Sequence, residues 1–235
     1  MSIKNIIDDL PILYINLNRA IDRKNKIEEI LNNNNLEYKR IEAIDGSELD
    51  YIELKKQYNF RKISKNEVAC VLSHIKAIQY AFDNNYEYTL IMEDDCSFEY
   101  LEYKNVPLKE LMTELTKTNS DWEIIQLGII CDKNLHNTFI DLFSKNKYIK
   151  SCYYSLGAVA YIINKKGMDK ILNYFSKTKN LKVADEYVYQ LTKTYITMPY
   201  FTQYANIFKS DIRDDTSLQF QNESKELWDT IIKIK

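Results

Sequence analysis

Glu93, Asp94 and Asp95 stand in a row directly after the apolar run Leu90-Ile91-Met92. A chain that ends a buried strand on three carboxylates concentrates negative charge at the rim of a sheet. Two carboxylates ~4 Å apart repel by about 1 kcal/mol in water and about 4 kcal/mol at an effective dielectric of 20. A cation between them relieves this. Hard oxygen ligands with room for waters and phosphates suit Mg2+ or Mn2+. The other reading of three adjacent acids is a solvated strand-to-loop corner, with an aspartate capping a turn. Ser73-His74, upstream in an apolar helical pattern, is either packing or part of the same site.

The elements around these residues favour a site. Pro11 to Leu17 (PILYINL) reads as a buried strand, Asn18 to Arg23 as a polar turn, and Arg23 to Leu31 as a helix ended by the asparagine tract 32–35. Tyr38 to Ile44 alternates like a second strand and closes on Asp45-Gly46, so the order suggests a βαβ unit with a parallel pair. Ser64-Lys65-Asn66-Glu67 is a capping box before a helix of about five turns. Along that helix Val68, Leu72, Ile75, Gln79 and Phe82 form one stripe, with Glu67, Val71 and His74 on its flank. Tyr88 to Met92 is the strand that delivers the acids, and ligands of open α/β sheets bind beyond the carboxyl ends of strands. Further strands are expected at Trp122 to Leu127, Leu156 to Ile163 and Tyr195 to Met198, and helices at Lys165 to Phe175 and Asp185 to Thr194. The pattern weakens after Pro199, and 211–235 reads as a C-terminal arm with a helix near Lys225 to Ile234.

The 235 residues carry a net charge of -2, which excludes a general polyanion-binding surface and weighs against a nucleic-acid partner. With 45% hydrophobic and 28% charged residues the composition is that of a globular protein, read as one α/β domain over 1–235. Cys70, Cys96, Cys131 and Cys152 are widely spaced, without a CxxC pair, and read as buried free thiols. No segment approaches the ~20 apolar residues of a membrane span, and no signal-type run opens the chain. The expected location is cytoplasmic, in a bacterium or, for a viral protein, in the host cytoplasm or virion.

Six segments then point together. YINLNRAIDR (14–23), RIEAIDG (40–46), NEVACVLSHIKAI (66–78), LIMEDDCSFE (90–99), GAVAYIINKKGMDKIL (157–172) and VADEYV (183–188) occur in order. They resemble the motifs of glycosyltransferase family 25, which contains lipopolysaccharide β-galactosyltransferases and collagen-type galactosyltransferase domains. The resemblance covers about Tyr14 to Phe201. Asn18 stands where the family usually has Asp, Met168 where it has Ala, and Ala184 where Pro is frequent.

The resemblance implies a GT-A-type nucleotide-binding sandwich with a central, mostly parallel sheet flanked by helices. It also implies an inverting transfer of a hexose from a UDP-sugar, dependent on Mn2+ or Mg2+. Asp95 and Glu93 become the metal ligands, and Asp94 a contact to ribose or sugar. Asp185 becomes the base for the acceptor hydroxyl, with Glu186 second; the local alternative for Asp185 is a helix cap. Asn16, Arg19 and Arg23 leave the first strand where a nucleotide would lie, Asp45 is placed for uridine or ribose, and Ser73 and His74 for the donor or its phosphates. Galactose is the family's commonest donor sugar, with glucose and N-acetylglucosamine as alternatives. The acceptor is a glycan or glycoprotein, lipopolysaccharide among them. The rival classes are a non-catalytic sugar-nucleotide or glycan-binding module of the same fold and a metal-dependent phosphohydrolase.

Overall fold

A strand can bury both faces only where helices cover both, and the first strand does so. In the computed structural model, which describes residues 1–7, 9–150, 156–203 and 216–234, β1 (Ile12–Asn16) is buried throughout. The other strands are β2 (Tyr38–Glu42), β3 (Tyr88–Glu93), β4 (Cys96–Ser97), β5 (Ile124–Gln126), β6 (Tyr148–Lys150), β7 (Ala160–Asn164), β8 (Thr194–Thr197) and β9 (Thr202–Gln203). Helices are α1 (Ile3–Ile7), α2 (Ile21–Asn33), α3 (Tyr51–Gln57), α4 (Lys65–Asp83), α5 (Leu108–Thr118), α6 (His136–Lys145), α7 (Lys165–Thr178), α8 (Ala184–Gln190) and α9 (Thr216–Ile234).

Period-two alternation divides the core between the two faces. Ile12, Tyr14, Leu90, Met92 and Ile162 pack with Ile6 of α1, Ile27 of α2 and Leu111 of α5. Leu13, Ile15, Ile91, Tyr161 and Ile163 pack with Val71 of α4, Ile171 of α7 and Val188 of α8. A third cluster, built on Phe139, Phe143 and Trp228, seats α6 and α9 beside Ile196 of β8.

Among the described residues, seven strands pair in the order β2-β1-β3-β7-β5-β8-β6. β1 is parallel to both β2 and β3, and β5 to β8. β7 is antiparallel to β3 and β5, and β6 to β8. The sheet is therefore mixed and mostly parallel, with β6 and β7 reversed, and the α/β class with flanking helices is as expected. The reversal of β7 matters for the site. It brings the start of that strand, rather than its end, to the rim where β1 and β3 finish.

The capping box of α4 is formed: Ser64 Oγ accepts from the Glu67 N–H at 3.2 Å, and Glu67 Oε2 accepts from the Ser64 N–H at 2.8 Å. The buried face of α4 is wider than the expected stripe. It takes in Ser73, His74 and Ile78, while Gln79 is exposed and Phe82 half-buried, because the helix is packed by α7 and α8 as well as by the sheet. Other boundaries move slightly. α2 starts at Ile21 after Ala20, which offers no side-chain cap. α8 stops at Gln190, and α9 begins at Thr216, earlier than expected. The proposed arm at 211–215 and Cys152 lie outside the described residues.

Candidate active site

β1 is hydrogen-bonded to β2 on one side and β3 on the other, so the chain order reverses between β1 and β3. The crevice at the carboxyl ends of two such strands is the place where open α/β sheets take ligands. A cavity of ≈ 120 Å³ lies there. Its lining includes Asn16, Arg19 and Arg23 from the β1 end, Ser73 and His74 from α4, and Glu93, Asp94 and Asp95 from the β3 end. Whole small-molecule pockets measure ~300–1,000 Å³, so this cavity would enclose one part of a nucleotide-sized ligand.

Alternation along β3 stops at Glu93, since Asp94 and Asp95 form a turn, and the three carboxylates diverge. Asp94 is buried and turns toward β1 and α2. Asn16 Nδ2 donates to its Oδ2 at 2.6 Å, and Arg23 Nε lies 3.5 Å from its Oδ1. Asn16 is held in turn by β2, because Arg40 Nε donates to Asn16 Oδ1 at 2.8 Å and Arg40 Nη2 to the Asn16 carbonyl at 3.2 Å. The line from Arg40 through Asn16 to Asp94 and Arg23 locks the turn that carries Asp95.

Asp95 has a different environment. Gln203 Nε2 donates to its Oδ2 at 3.4 Å, brought there by the short pairing of β9 with β4. Its Oδ1 is sealed from solvent and, among the described residues, has no hydrogen-bond partner. Burial, then the charges of Glu93 and Asp94, push the Asp95 carboxyl well above the ordinary range, against the pull of Arg23. An unpartnered buried oxygen among like charges calls for a cation, and carboxylate oxygens suit a hard divalent ion. Glu93 and Asp95, where Mn2+ or Mg2+ is expected, both line the cavity, and their carboxylate oxygens are the donor type such an ion takes.

Glu93 points the other way, to α4. His74 Nε2 is 3.1 Å from Glu93 Oε1, and His74 Nδ1 is 3.1 Å from the Tyr161 hydroxyl. A carboxylate only accepts, so the network assigns the proton of a neutral His74 to Nε2, with Tyr161 donating to Nδ1. Burial keeps the Tyr161 hydroxyl protonated by raising its pKa far above the usual value. Cys70, one turn before His74, also lines the cavity. Its sulfur, a ring nitrogen of His74 and a carboxylate oxygen of Glu93 all lie within 4.8 Å of one another. Cys70 is thus half-buried at the cavity rather than a fully buried thiol, whereas Cys96 and Cys131 are buried and free.

Ser73 is committed to the fold. It donates to the Ala69 carbonyl at 2.7 Å and accepts from the Ile44 N–H at 2.9 Å, tying α4 to the loop after β2. Gly46 lets that loop approach closely, since a Cβ there would sit 2.7 Å from the Asn66 Cα. Asp45 caps the following turn, and Arg19 Nε donates to its Oδ2 at 2.6 Å, which with Ser47 holds its carboxyl down at about 2. Arg19, at the cavity mouth, is half-exposed.

Asp185 lies in the first turn of α8, outside the cavity lining. Its Oδ2 accepts from the Gly157 N–H at 3.1 Å and its Oδ1 from the Glu186 N–H at 2.9 Å. Burial first, then the charges of Glu93, Asp185, Asp95 and Glu67, push the Cys70 thiol well above its usual value. Glu186 pairs instead with Lys182 at 3.8 Å on a half-exposed surface. Arg40, Gln203, Tyr161 and Cys70 are site residues that sequence reasoning did not nominate. Arg40, Tyr161 and Cys70 stand inside segments that resemble the family's motifs, and Cys70 has in addition its i, i+4 spacing to His74; Gln203 carried no signal.

A family model described as glycosyltransferase family 25 (LPS biosynthesis protein) matches residues 9–188. Procollagen galactosyltransferase 2 of Mus musculus is 34% identical over 128 residues, 50% of this chain and 20% of that protein. Procollagen galactosyltransferase 1-A of Xenopus laevis is 26% identical over 197 residues, 75% of this chain and 30% of that protein. A Bos taurus protein described as a probable inactive glycosyltransferase 25 family member 3 is 24% identical over 172 residues, 68% of this chain and 28% of its own length. The chain spans less than a third of each of these relatives.

Proposed function

The chain belongs to glycosyltransferase family 25, and on that premise we propose that it is a UDP-sugar-dependent hexosyltransferase, inverting at the anomeric carbon and dependent on Mn2+ or Mg2+. The observation that carries this reading is the buried Oδ1 of Asp95, without a partner among the described residues, beside Glu93 and Asp94 in a cavity at the strand-order reversal. Leaving such an oxygen unsatisfied costs about 1–3 kcal/mol, more when it is charged. Glu93 and Asp95 would hold the ion, which when bound acts as a Lewis acid toward the departing diphosphate.

The chain's own groups divide the remaining work. Asn16, Arg40 and Arg23 fix Asp94, and through it the turn that presents Asp95. Arg19, at the mouth, can exchange Asp45 for a phosphate oxygen. His74 orients Glu93, and Tyr161 orients His74. Asp185 takes the proton of the acceptor hydroxyl as the new C–O bond forms at the anomeric carbon and UDP departs from the opposite face. The two backbone N–H groups on Asp185 hold it in place, and each carboxylate oxygen keeps a second lone pair for that proton. Galactose is the favoured donor sugar, as the relatives' names suggest, and the acceptor is a hydroxyl of a glycan or glycoprotein.

The test is UDP release from a panel of UDP-sugars with Mn2+, in the wild type and in Asp95→Ala. Release that depends on Mn2+ and collapses in the variant supports the reading. Tight UDP-sugar binding without release in the wild type, with any acceptor glycan, would make the chain a binding module instead. Equal release from both proteins would remove the metal assignment.

A further inference from the structure

The assigned chemistry uses hard oxygen ligands and leaves one cavity wall unexplained. On that wall a thiol, an imidazole nitrogen and a carboxylate oxygen lie within 4.8 Å of one another, from Cys70, His74 and Glu93. Cys70 and His74 are one turn apart on α4 and project from the same face. Glu93 comes from the end of β3, and all three line the same cavity, so a route for an ion exists.

Such a donor set is wrong for Mn2+ or Mg2+, which prefer oxygen, and right for a softer ion. Sulfur and imidazole select Zn2+ strongly, and three protein ligands with one position open to a cleft is a common zinc arrangement. The surroundings agree. His74 is buried, and its second ring nitrogen already has a partner in the Tyr161 hydroxyl, the kind of outer contact that orients a ligating imidazole. Asp95 and Asp185 add negative charge near the thiol, so a dication is favoured over a neutral occupant.

We propose that Cys70, His74 and Glu93 form a binding site for a thiophilic divalent ion, Zn2+ foremost, on the inner wall of the cavity. On binding, Cys70 releases its proton to solvent and ligates as the thiolate. The proton on His74 moves to Nδ1, and the Tyr161 hydroxyl turns from donor to acceptor. Glu93 is shared with the oxygen-ligand site, so a bound Zn2+ withdraws one ligand from the ion that faces the diphosphate. This consequence rests on the transferase reading, whereas the binding itself does not.

The test adds Co2+, then Zn2+, to the purified full chain. Co2+ is expected to give a thiolate-to-cobalt charge-transfer band in the near ultraviolet, which one equivalent of Zn2+ abolishes. Cys70→Ser should lose the band and weaken Zn2+ binding by at least about 10–100-fold, while Cys96→Ser keeps both. Circular dichroism and the ion-free melting midpoint establish that each variant is folded. If Cys70→Ser does not fold, protection of Cys70 from alkylation by Zn2+ in the wild type, read by peptide mass, decides instead. No band, a band that survives in Cys70→Ser, or alkylation of Cys70 that Zn2+ leaves unchanged overturns the site. In the Mn2+-dependent UDP-release assay Zn2+ should inhibit the wild type by a larger fraction than it inhibits Cys70→Ser, each measured against its own Zn2+-free rate. An absence of any UDP release alongside an intact cobalt band would strike the transferase reading and leave the ion site standing.

Discussion

Replacing Asp95 by Asn separates what the acidic turn does for function from what it does to the fold. The substitution keeps the shape of the side chain and removes its charge. In the ion-free protein the Asp95 carboxyl either carries that charge on an oxygen without a partner among the described residues, beside Glu93 and Asp94 and only partly offset by Arg23, or takes up a proton, and both cost free energy relative to the unfolded chain. A neutral amide still buries one unpartnered atom, so the gain is the charge-dependent part alone, about 1–2 kcal/mol of the 1–3 kcal/mol or more that an unsatisfied buried carboxylate costs. At roughly 2–4 °C per kcal/mol for a chain of this size, the variant should melt about 2–8 °C higher without metal. Mn2+ at 100 times its Kd should then stabilise the wild type by ~2.7 kcal/mol and the variant far less, reversing the order. Thermal unfolding of both proteins, with and without Mn2+, reads this directly. An Asp95→Asn protein less stable than the wild type in the absence of metal, or equally stabilised by Mn2+, would refute the reasoning, because the carboxylate would then have a structural partner.

Asn16→Leu removes the amide between Arg40 and Asp94 and should cost about 2–3 kcal/mol, seen as a lower urea midpoint at unchanged slope. Gly157→Ala should lower kcat with little change in donor KM. Gly157 sits at φ +91, a Cβ there would lie 2.9 Å from Ile130 Cγ1, and its N–H positions Asp185. Asp45, held at about 2 by Arg19, contributes stability above its unfolded value near 4 that is lost as pH falls through about 2. Because Arg19 is half-exposed the amount is at most about 1 kcal/mol, so the stability gap between wild type and Asp45→Asn should shrink between pH ~5 and ~2 in denaturant titrations. Trp228→Ala opens the cluster that seats α6 and α9 and should cost about 3–5 kcal/mol, measured by chemical unfolding.

Much of the sheet was legible because its signals are local. Apolar runs marked β1, β3, β5 and β7, alternation marked β2, and the Ser64 to Glu67 capping box marked the start of α4, since near neighbours along the chain decide those conformations. α5 and α6 fall in stretches to which no element was assigned from the sequence, although Leu108, Leu111, Met112 and Leu115 recur at helical spacing and are buried on one face of α5. Asp185 and Glu186 show the limit at the site. Adjacent in sequence, they part in space, one to the Gly157 N–H and the other to a surface ion pair.

By itself, then, the sequence determined that carboxylates gather at the end of a buried strand, that a capped helix carries a histidine nearby, and which family those segments resemble. Only the tertiary structure decided which partner each carboxylate takes: Asp94 to Asn16 and Arg23, Glu93 to His74, and Asp95 to Gln203 with one oxygen left over. The physical reason is separation along the chain. Those contacts join residues 19 to 108 positions apart, and they exist only once sheet order, the reversal of β7 and the pairing of β9 with β4 have brought distant segments to one rim.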